Sequence, residues 1–249
     1  MIVIPMAGAS RRFAEAGYLE PKYKLPLRGR PLFDWAVGSF AADFAARPFL
    51  FVVRDEPGVA DFVRARGEAL GIADLRIVTL DQPTAGQAET VERGLAGCAV
   101  AAETPLTIFN IDTIRPGAQS IALPGFDGWL ETFSAPGENW SFIEPKPDEP
   151  ALVARCTEKH RISDHCCTGL YGFASAALFA EALAVERRAP SSHELFVAPL
   201  YNHLIARGCR IGWREVAAEQ VILSGVPAEY EALLADFPPA LEELETALA

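Results

Sequence analysis

The chain of 249 residues predicts an α/β fold, with an open, mixed and mainly parallel sheet that carries helices on both faces. Over the first 115 residues, short apolar runs alternate with segments of helical periodicity. The apolar runs are nearly continuous, as they are in strands that a parallel sheet buries on both faces. After about Pro116, apolar runs follow one another without helical segments between them, which makes the predicted sheet mixed.

The first half of the chain predicts the order β-α-β-α-β-α-β, which folds as a parallel sheet. Pro31 suits the first turn of a helix, and Gly71 suits the position just after a last turn. The predicted strands cover residues 2–7, 49–53, 76–80 and 106–112, and the predicted helices cover 31–40, 59–70 and 88–100.

The second half predicts further strands at 140–143, 152–157, 170–174 and 210–216. Helical patterns cover 176–186, 194–207 and 228–248, and the last of these is broken at Pro238-Pro239. No change in composition marks a linker, and no internal repeat is present. We therefore expect one domain over residues 1–249, in which the pattern changes between 1–115 and 116–249.

Composition narrows the class of function. The net charge of -11, from 22 basic and 33 acidic residues, argues against a nucleic-acid groove and against binding to anionic membranes. The five cysteines are odd in number and form no C-x-x-C pair, so we expect reduced thiols. No signal peptide and no apolar run of membrane-spanning length is visible, which predicts a cytoplasmic location.

The first strand leads into a turn of small and basic residues. Such a turn lets backbone N–H groups approach phosphate oxygens, while basic side chains neutralise their charge. An exposed loop with ordinary surface charges would look the same, and neither a Walker loop nor a G-x-G-x-x-G fingerprint is present. The candidate phosphate-binding residues are Ala7, Gly8, Ala9, Ser10, Arg11, Arg12 and Lys22.

The fourth predicted strand ends in the sequence Asn110-Ile111-Asp112. Open α/β sheets bind ligands beyond the carboxyl ends of their strands. A carboxylate there suits a Mg²⁺ ion that is bound mainly through phosphates and water, although a turn or cap aspartate is a common alternative. Asp112 is therefore the candidate metal ligand, with Asn110 beside it.

Two further segments follow predicted strands. The first is the segment from Asp81 to Gly86, where the amide of Gln82 and the close approach of a base to Gly86 could allow recognition of the edge of that base. The alternative is that this segment is only a loop before the start of a helix. Glu158-Lys159, with Gly169 further on, could hold a sugar hydroxyl and a phosphate, or could be a surface ion pair. Trp140 is a candidate wall of the same pocket, with core packing as the alternative.

In this order and spacing, the segments resemble the sugar-phosphate nucleotidyltransferase (pyrophosphorylase) family, from Met1 to about Tyr230. The resemblance implies a Rossmann-like, glycosyltransferase-A type fold, with residues 1–115 as the nucleotide-binding half and 116–249 as the acceptor-binding half. It implies that the segment from Met6 to Lys22, here called the first loop, wraps the phosphates of an NTP. It also implies that Gln82 and Gly86 contact the base and that Asp112 holds Mg²⁺. Glu158, Lys159 and Gly169 correspond to the contacts with the sugar phosphate, and Gly225-x-Pro227 corresponds to a late Gly-Thr-Pro turn.

The implied reaction couples an NTP to a sugar phosphate or a related phosphorylated acceptor and releases pyrophosphate. Arg12, Lys22 and Asp112 are then the expected catalytic residues. The Gly-Tyr…Pro-Lys form of the loop is similar to bacterial capsule or surface-polysaccharide members. The expected partners are the NTP and the small acceptor, without nucleic acid or membrane. The base, the acceptor and the oligomeric state stay open.

Two positions depart from the family pattern. Leu223 stands where better-known members carry an aspartate that completes the metal site, and His160 replaces a proline after Glu-Lys. Asp112 could hold the metal with phosphates alone, or another carboxylate such as Asp164 could substitute. Two other functions remain as alternatives. One is a glycosyltransferase with a nucleotide-sugar donor, although Asn110 stands where such enzymes use Asp-x-Asp. The other is a catalytically silent nucleotide-binding regulator.

Overall fold

A computed structural model of the protein describes residues 1–120 and 124–248. Within these residues the strands are β1 (Ile2–Pro5), β2 (Pro26–Leu27), β3 (Arg30–Pro31), β4 (Pro48–Arg54), β5 (Asp74–Leu80), β6 (Leu106–Phe109), β7 (Thr113–Ile114), β8 (Gly128–Ser134), β9 (Ser141–Pro145), β10 (Val153–Glu158), β11 (His165–Phe173), β12 (Ile211–Glu215) and β13 (Ile222–Leu223). The helices are α1 (Arg11–Glu15), α2 (Leu32–Gly38), α3 (Val59–Ala69), α4 (Gln87–Gly97), α5 (Ala176–Arg188), α6 (Leu200–Ala206), α7 (Pro227–Ala235) and α8 (Pro239–Ala247).

The main sheet is mixed and confirms the predicted fold class. Its path runs β10-β9-β11-β6-β1-β4-β5, with β8 on the other edge of β11 and β12 beside β8. The strands β5, β4, β1 and β6 are parallel to each other, as the β-α-β order of the first half requires. β11 runs antiparallel to β6, β8 and β9, so the antiparallel pairing begins in the second half of the chain.

Strand β4 shows why the sheet carries helices on both faces. Its residues alternate between two apolar clusters, since successive side chains of a strand point to opposite faces. Phe49, Phe51 and Val53 join the cluster formed with α2, α3, α7 and α8. Leu50 and Val52 join the cluster formed with α4, α5 and α6. All five side chains are fully buried, which explains the unbroken apolar run in the sequence.

Strand β11 connects the two halves of the sheet. Its residues 170–173 pair with β6, while Cys166 pairs with Phe142 of β9 on the same edge. The other edge pairs with β8, with an irregularity in register between Cys167 and Tyr171. One continuous strand therefore borders both the parallel strands of the first half and the strands of the second half.

Several elements differ from the sequence prediction: it did not include the short elements α1, β2, β3, β7 and β13, and β6, β8 and α6 differ as well. β8 (Gly128–Ser134) was not predicted at all. The helix predicted from residue 194 begins only at Leu200, because Leu195 uses its backbone N–H and C=O to bond Ala85 and Ala88 instead. The fourth strand ends at Phe109 rather than at residue 112, because the chain turns there and the N–H of Thr113 bonds the C=O of Asn110.

The remaining predicted elements are confirmed within a few residues at their ends, and Pro239 begins a new helix where the break was predicted. The five cysteines are all free thiols. Of the helices in residues 1–120 and 124–248, none combines the length and the apolar character that a bilayer span requires.

Candidate active site

A cavity of about 680 Å³ opens beside the carboxyl end of β6. That edge is where an open α/β sheet offers backbone and loop groups to a ligand. Seven of the residues selected from the sequence line it, namely Arg12, Asn110, Asp112, Trp140, Glu158, Lys159 and Gly169. They come from the first loop, from the end of β6 and from the second-half strands, so the fold brings both halves of the chain to one cavity.

Asp112 and Lys22 form an ion pair at this cavity. The Nζ of Lys22 lies 2.6 Å from Oδ2 of Asp112 and donates a hydrogen bond to it. Burial alone would raise the pKa of Asp112, but the charge and hydrogen bond of Lys22, with the charge of Arg12, lower it below its ordinary value. Asp112 is therefore an ionised carboxylate that faces two cations of the first loop.

The turn that carries Asp112 is held from both sides. The backbone C=O of Asp112 accepts hydrogen bonds from the N–H and the hydroxyl of Ser224. β7, which follows Asp112, pairs with β13 through Thr113 and Leu223. The strand prediction placed Asp112 at the edge of the sheet for a simple reason, namely the end of an apolar run. The structure adds the second chain segment that fixes its turn.

Asn110, Gly169 and Gln87 form a close group on the cavity floor. Gly169 has φ of +91°, and a Cβ there would lie 2.6 Å from Nδ2 of Asn110. The amide of Gln87 donates a hydrogen bond to Oδ1 of Asn110. The glycine is thus required by the close approach of Asn110, and Gln87 orients the amide of that asparagine.

The opposite wall carries Glu158, Lys159 and Trp140. Burial raises the pKa of Glu158, and the charge of Glu194 adds to this, while a hydrogen bond from Ser141 and the charge of Lys159 oppose it. The Nζ of Lys159 lies 4.8 Å from the centroid of the Phe196 ring. Trp140 accepts the N–H of Lys159 at its backbone C=O, and its indole packs edge-on against Phe133.

The small residues of the first loop lie apart from this cavity. Gly8, Ala9 and Ser10 line a separate cavity of about 180 Å³, beside Tyr18 and Tyr23. Ala7 is half-buried and Arg11 is exposed. The loop continues directly into helix α1, whose second residue is Arg12. Arg12 therefore lines the large cavity, while Gly8 and Ser10, which precede it in the sequence, line the neighbouring smaller cavity.

Gln82 and Gly86 do not line the large cavity. Gln82 is exposed on the loop before α4. A Cβ at Gly86 would lie 2.5 Å from the backbone nitrogen of Leu195, so the packing of these two backbones by itself requires a glycine. The predicted contact of both residues with a base stays a prediction.

The cavity residues that were not selected from the sequence include Gln87 and Glu229, whose polar side chains lie next to the selected ones. Gln87 stands one position after Gly86, and its place at the start of α4 could have drawn attention to it. Glu229 lies in the first turn of α7, three residues after Val226, which is the usual spacing of a capping glutamate. That spacing is typical of a structural role at a helix start and gives no sign that the residue lines a cavity. Asp164, considered as a substitute metal ligand, lies elsewhere in an exposed pair with Arg161.

A buried charge network lies behind the cavity. The carboxylate of Glu131, which is fully buried, accepts hydrogen bonds from Arg115 at 3.0 Å and from Arg214 at 2.9 Å. The hydroxyl of Thr168, which lines the cavity, donates to the same carboxylate. Arg115 follows Asp112 by three residues, so Glu131 joins the Asp112 turn to β11 next to Gly169.

The oxygen-bearing side chains of the cavity fit a magnesium ion that takes only some of its ligands from the protein and the others from the substrate. The described residues include no group of three or more His, Cys, Asp or Glu side chains placed around a common point. Magnesium, however, is commonly held by one or two carboxylates together with phosphate oxygens and water. The ionised carboxylate of Asp112 satisfies that requirement. These residues therefore fit a metal ion that binds together with a phosphate-bearing substrate. The described residues do not place enough ligands around a common point for a metal ion that the protein holds by itself.

No family sequence model matches the chain, and no protein with a curated function matches it. Solved structures do. The inositol-1-phosphate CTP transferase from T. maritima has 13% sequence identity and a TM-score of 0.73, over 99% of this chain and 94% of that one. A UDP-glucose pyrophosphorylase complexed with UDP-glucose has 15% identity and a TM-score of 0.73, over 94% of this chain and 96% of that one. At these identities the two structures show the fold.

A third structure shows more than the fold. The nucleoside-diphosphate-sugar pyrophosphorylase from Vibrio cholerae RC9 has 44% sequence identity and a TM-score of 0.88, over 95% of this chain and 100% of that one. An identity of this size over almost the full length of both chains confirms the resemblance that the sequence motifs predicted. The protein belongs to the family of nucleoside-diphosphate-sugar pyrophosphorylases, which are nucleotidyltransferases.

Proposed function

We propose that the protein couples an NTP to a sugar phosphate, or to a related phosphorylated acceptor, and releases pyrophosphate. The observation that carries this proposal is the convergence of three charged groups at one cavity: Lys22 bonds Asp112, and Arg12 lines the cavity beside them. Two cations suit a triphosphate, and an ionised carboxylate suits its metal ion. The family membership supports the same class of reaction.

In the proposed reaction, a phosphate oxygen of the acceptor attacks the α-phosphorus of the NTP. The bond from the α-phosphorus to the oxygen that bridges it to the β-phosphorus breaks, and pyrophosphate leaves with the electron pair. An ionised phosphate is already a nucleophile at neutral pH, so no general base is required. Catalysis then consists of positioning and charge stabilisation, for which Arg12 and Lys22 are the proposed residues. A Mg²⁺ ion held by Asp112 would supply further charge stabilisation on the phosphate oxygens.

The proposed nucleotide site extends from this centre along the first loop. Backbone N–H groups of the loop would hold phosphate oxygens, with Ala7, Gly8, Ala9, Ser10 and Arg11 as the predicted contacts. Gln82 and Gly86 remain the predicted contacts of the base. Asn110, which Gln87 orients on the cavity floor, is the further predicted contact of the nucleotide.

The proposed acceptor site is the opposite wall. Lys159 would bind the acceptor phosphate, Glu158 would accept hydrogen bonds from its hydroxyl groups, and Trp140 would pack against its ring. Gly169 leaves room beside Asn110 at the boundary between the two substrates. We further propose that residues 1–249 act as one domain, with 1–115 for the nucleotide and 116–249 for the acceptor.

The biological setting is also a proposal. The Gly-Tyr…Pro-Lys form of the first loop supports a role in bacterial capsule or surface-polysaccharide synthesis. The cytoplasm is the proposed location, because NTPs are made there and because all five thiols are free, as they are in a reducing compartment.

The first test identifies the nucleotide. Each of the four NTPs is added with Mg²⁺ while thermal unfolding is followed, since a ligand that binds the native state raises the unfolding temperature. Pyrophosphate release is then measured with that NTP and a panel of sugar 1-phosphates and other phosphorylated acceptors. We expect metal-dependent release with at least one acceptor. The D112N variant should lose it, and D164N, which removes an exposed carboxylate, should keep it. A D112N variant with wild-type turnover would refute the proposal.

The products separate the alternatives. A glycosyltransferase would release a nucleoside diphosphate from a nucleotide sugar, and it would form no pyrophosphate. A silent regulator would bind an NTP tightly and release no pyrophosphate with any acceptor in the panel. Both alternatives predict that no pyrophosphate forms, and release of a nucleoside diphosphate from a nucleotide sugar then separates the glycosyltransferase from the regulator.

A further inference from the structure

Gly225 separates two carboxylates at the edge of the cavity. A Cβ at this position would lie 3.1 Å from Oδ2 of Asp112 and 3.5 Å from Oε2 of Glu229. Both acids line the same cavity, although they are 117 residues apart in the sequence, as their numbers show. The absence of a side chain at 225 thus leaves space between Oδ2 of Asp112 and Oε2 of Glu229, which both lie close to this position.

The two carboxylates are held in different ways. Asp112 is neutralised by Lys22. Glu229 accepts hydrogen bonds at Oε2 from the backbone N–H groups of Gly225 at 2.7 Å and Val226 at 3.1 Å. Within residues 1–120 and 124–248, no bond reaches Oε1 of Glu229 and no basic side chain forms an ion pair with it. Backbone bonds therefore fix the carboxylate in place, while its charge faces the cavity without a neutralising partner.

We propose that Glu229 is the second carboxylate that holds the divalent cation together with Asp112. This inference rests on the proposed function, because the remaining ligands would be phosphate oxygens and water. A hard cation of this kind is held by one or two carboxylates in addition to substrate phosphates. Leu223, which lines the same cavity, offers no oxygen to a metal. Glu229 supplies the negative charge from helix α7 instead.

The test uses Mn²⁺ as a spectroscopic probe of the cation site. Electron paramagnetic resonance measures the Kd of Mn²⁺ in the presence of a non-hydrolysable analogue of the NTP that stabilises the wild type. The E229Q variant keeps an oxygen that can accept the two backbone N–H groups, but it removes the charge. We expect its Kd to rise on the order of tenfold or more, as the loss of one charge beside a cation implies. Its Kd for the analogue without metal should stay within about threefold of the wild type.

Two controls separate the charge from other effects. E243Q removes an acidic charge from an exposed position on α8 and should leave the Kd of Mn²⁺ unchanged. E229D keeps the charge, with a shorter side chain, and should bind Mn²⁺ more tightly than E229Q does. If E229Q does not fold, E229D alone should still bind Mn²⁺ with a Kd within about tenfold of the wild type.

Different results overturn different statements. An E229Q variant that binds Mn²⁺ as tightly as the wild type, while D112N does not, removes Glu229 from the cation site and leaves the proposed function standing. Equal weakening in E229D and E229Q also overturns the inference, because the effect would then follow from geometry rather than from charge. A wild-type protein that binds no Mn²⁺ with any NTP analogue contradicts the proposed function itself.

Discussion

The ammonium group of Lys22 lies 2.6 Å from Oδ2 of Asp112, so the candidate metal carboxylate is already paired with a cation of the first loop. A metal ion that binds Asp112 must share that carboxylate with Lys22 or displace it. Under the proposed function, the ammonium group freed in this way would be available for the phosphates of the nucleotide. The pair would then link the binding of the metal to the position of Lys22.

Replacing Lys22 should separate turnover from affinity. We expect K22M to lower kcat by about a hundredfold or more, as the loss of a charge-stabilising group does, while the Kd of the NTP changes much less. The Kd of Mn²⁺ without nucleotide should fall, because Asp112 loses its competing partner. Steady-state kinetics and Mn²⁺ titration measure these quantities. The control is K24M, since Lys24 pairs with Glu20, at 3.6 Å, and lies over the ring of Phe62 rather than at the cavity. Unchanged kcat in K22M would remove Lys22 from the mechanism.

The acceptor site should respond to pH through Glu158. Because burial raises the pKa of this carboxyl above its ordinary 4.5, it takes up a proton at a higher pH than an exposed glutamate does. We expect the KM of the acceptor to rise as the pH falls through that pKa, while the KM of the NTP does not follow. E158Q should have a high acceptor KM at every pH. The same rise in E158Q as in the wild type would exclude Glu158 as the group responsible.

The raised pKa of Glu158 also determines how the contribution of this group to the free energy of unfolding changes with pH. The folded state binds this proton more tightly than the unfolded chain, so the contribution of the group to stability is full below pH 4.5 and falls as the pH rises through the folded pKa. E158Q should therefore lose no stability at neutral pH. Chemical denaturation at pH 7 tests this, with E144Q, on the neighbouring strand β9, as the control.

Substituting Gly169 should disturb both stability and the floor of the cavity. An alanine there adopts an unfavourable φ, which costs ~1–2 kcal/mol, and its Cβ would press on Asn110, which costs ~1–3 kcal/mol more. Gly117 also has a positive φ, of +72°, but nothing lies within 4 Å of its Cβ position. G117A therefore isolates the backbone cost. Denaturation should show G169A to be the less stable of the two, and equal losses would mean that Asn110 moves aside freely.

The buried network around Glu131 should be costly to break. We expect E131Q to lose ~3–5 kcal/mol of unfolding free energy, because it leaves the charge of the buried Arg115 without its partner. The matched control is E144Q, whose partner Arg155 is exposed, with an expected loss of ~1 kcal/mol or less. The double variant E131L/R115M should recover part of the loss. Losses of equal size in E131Q and E144Q would contradict a special role for the buried charge.

The parts of the fold that follow from local pattern were predictable. The alternation of apolar runs with helical segments identifies the parallel strands, because strands that a sheet buries on both faces are nearly continuous apolar runs. The end of the run before Asp112 places a carboxylate at the ligand edge of the sheet. These inferences need only neighbouring residues, so the sequence contains them directly.

The parts that depend on distant partners were not predictable. β8 carries Glu131 in its middle, and this residue is buried only because Arg115 and Arg214 neutralise it from other segments. Residues 194–199 have a helical pattern but use their backbone to bond the loop at Ala85. Likewise, the string from Gly8 to Ser10 does not indicate that these residues face a different cavity from Arg12.

The position of β11 has a consequence for how this protein can change its specificity. The strand pairs with β6 at 170–173 and with β9 at Cys166, so a single strand joins β6, which leads to Asp112, to the strands that carry the proposed acceptor wall. Residues 139–141 and 158–160 lie at the ends of second-half strands, away from the positions where β11 pairs with β6. Under the proposed function, we expect that exchanging the side chains of these residues changes which phosphorylated compound is accepted and leaves the positions of Asn110 and Asp112 unchanged, so that separate sets of mutations would select the acceptor and the nucleotide.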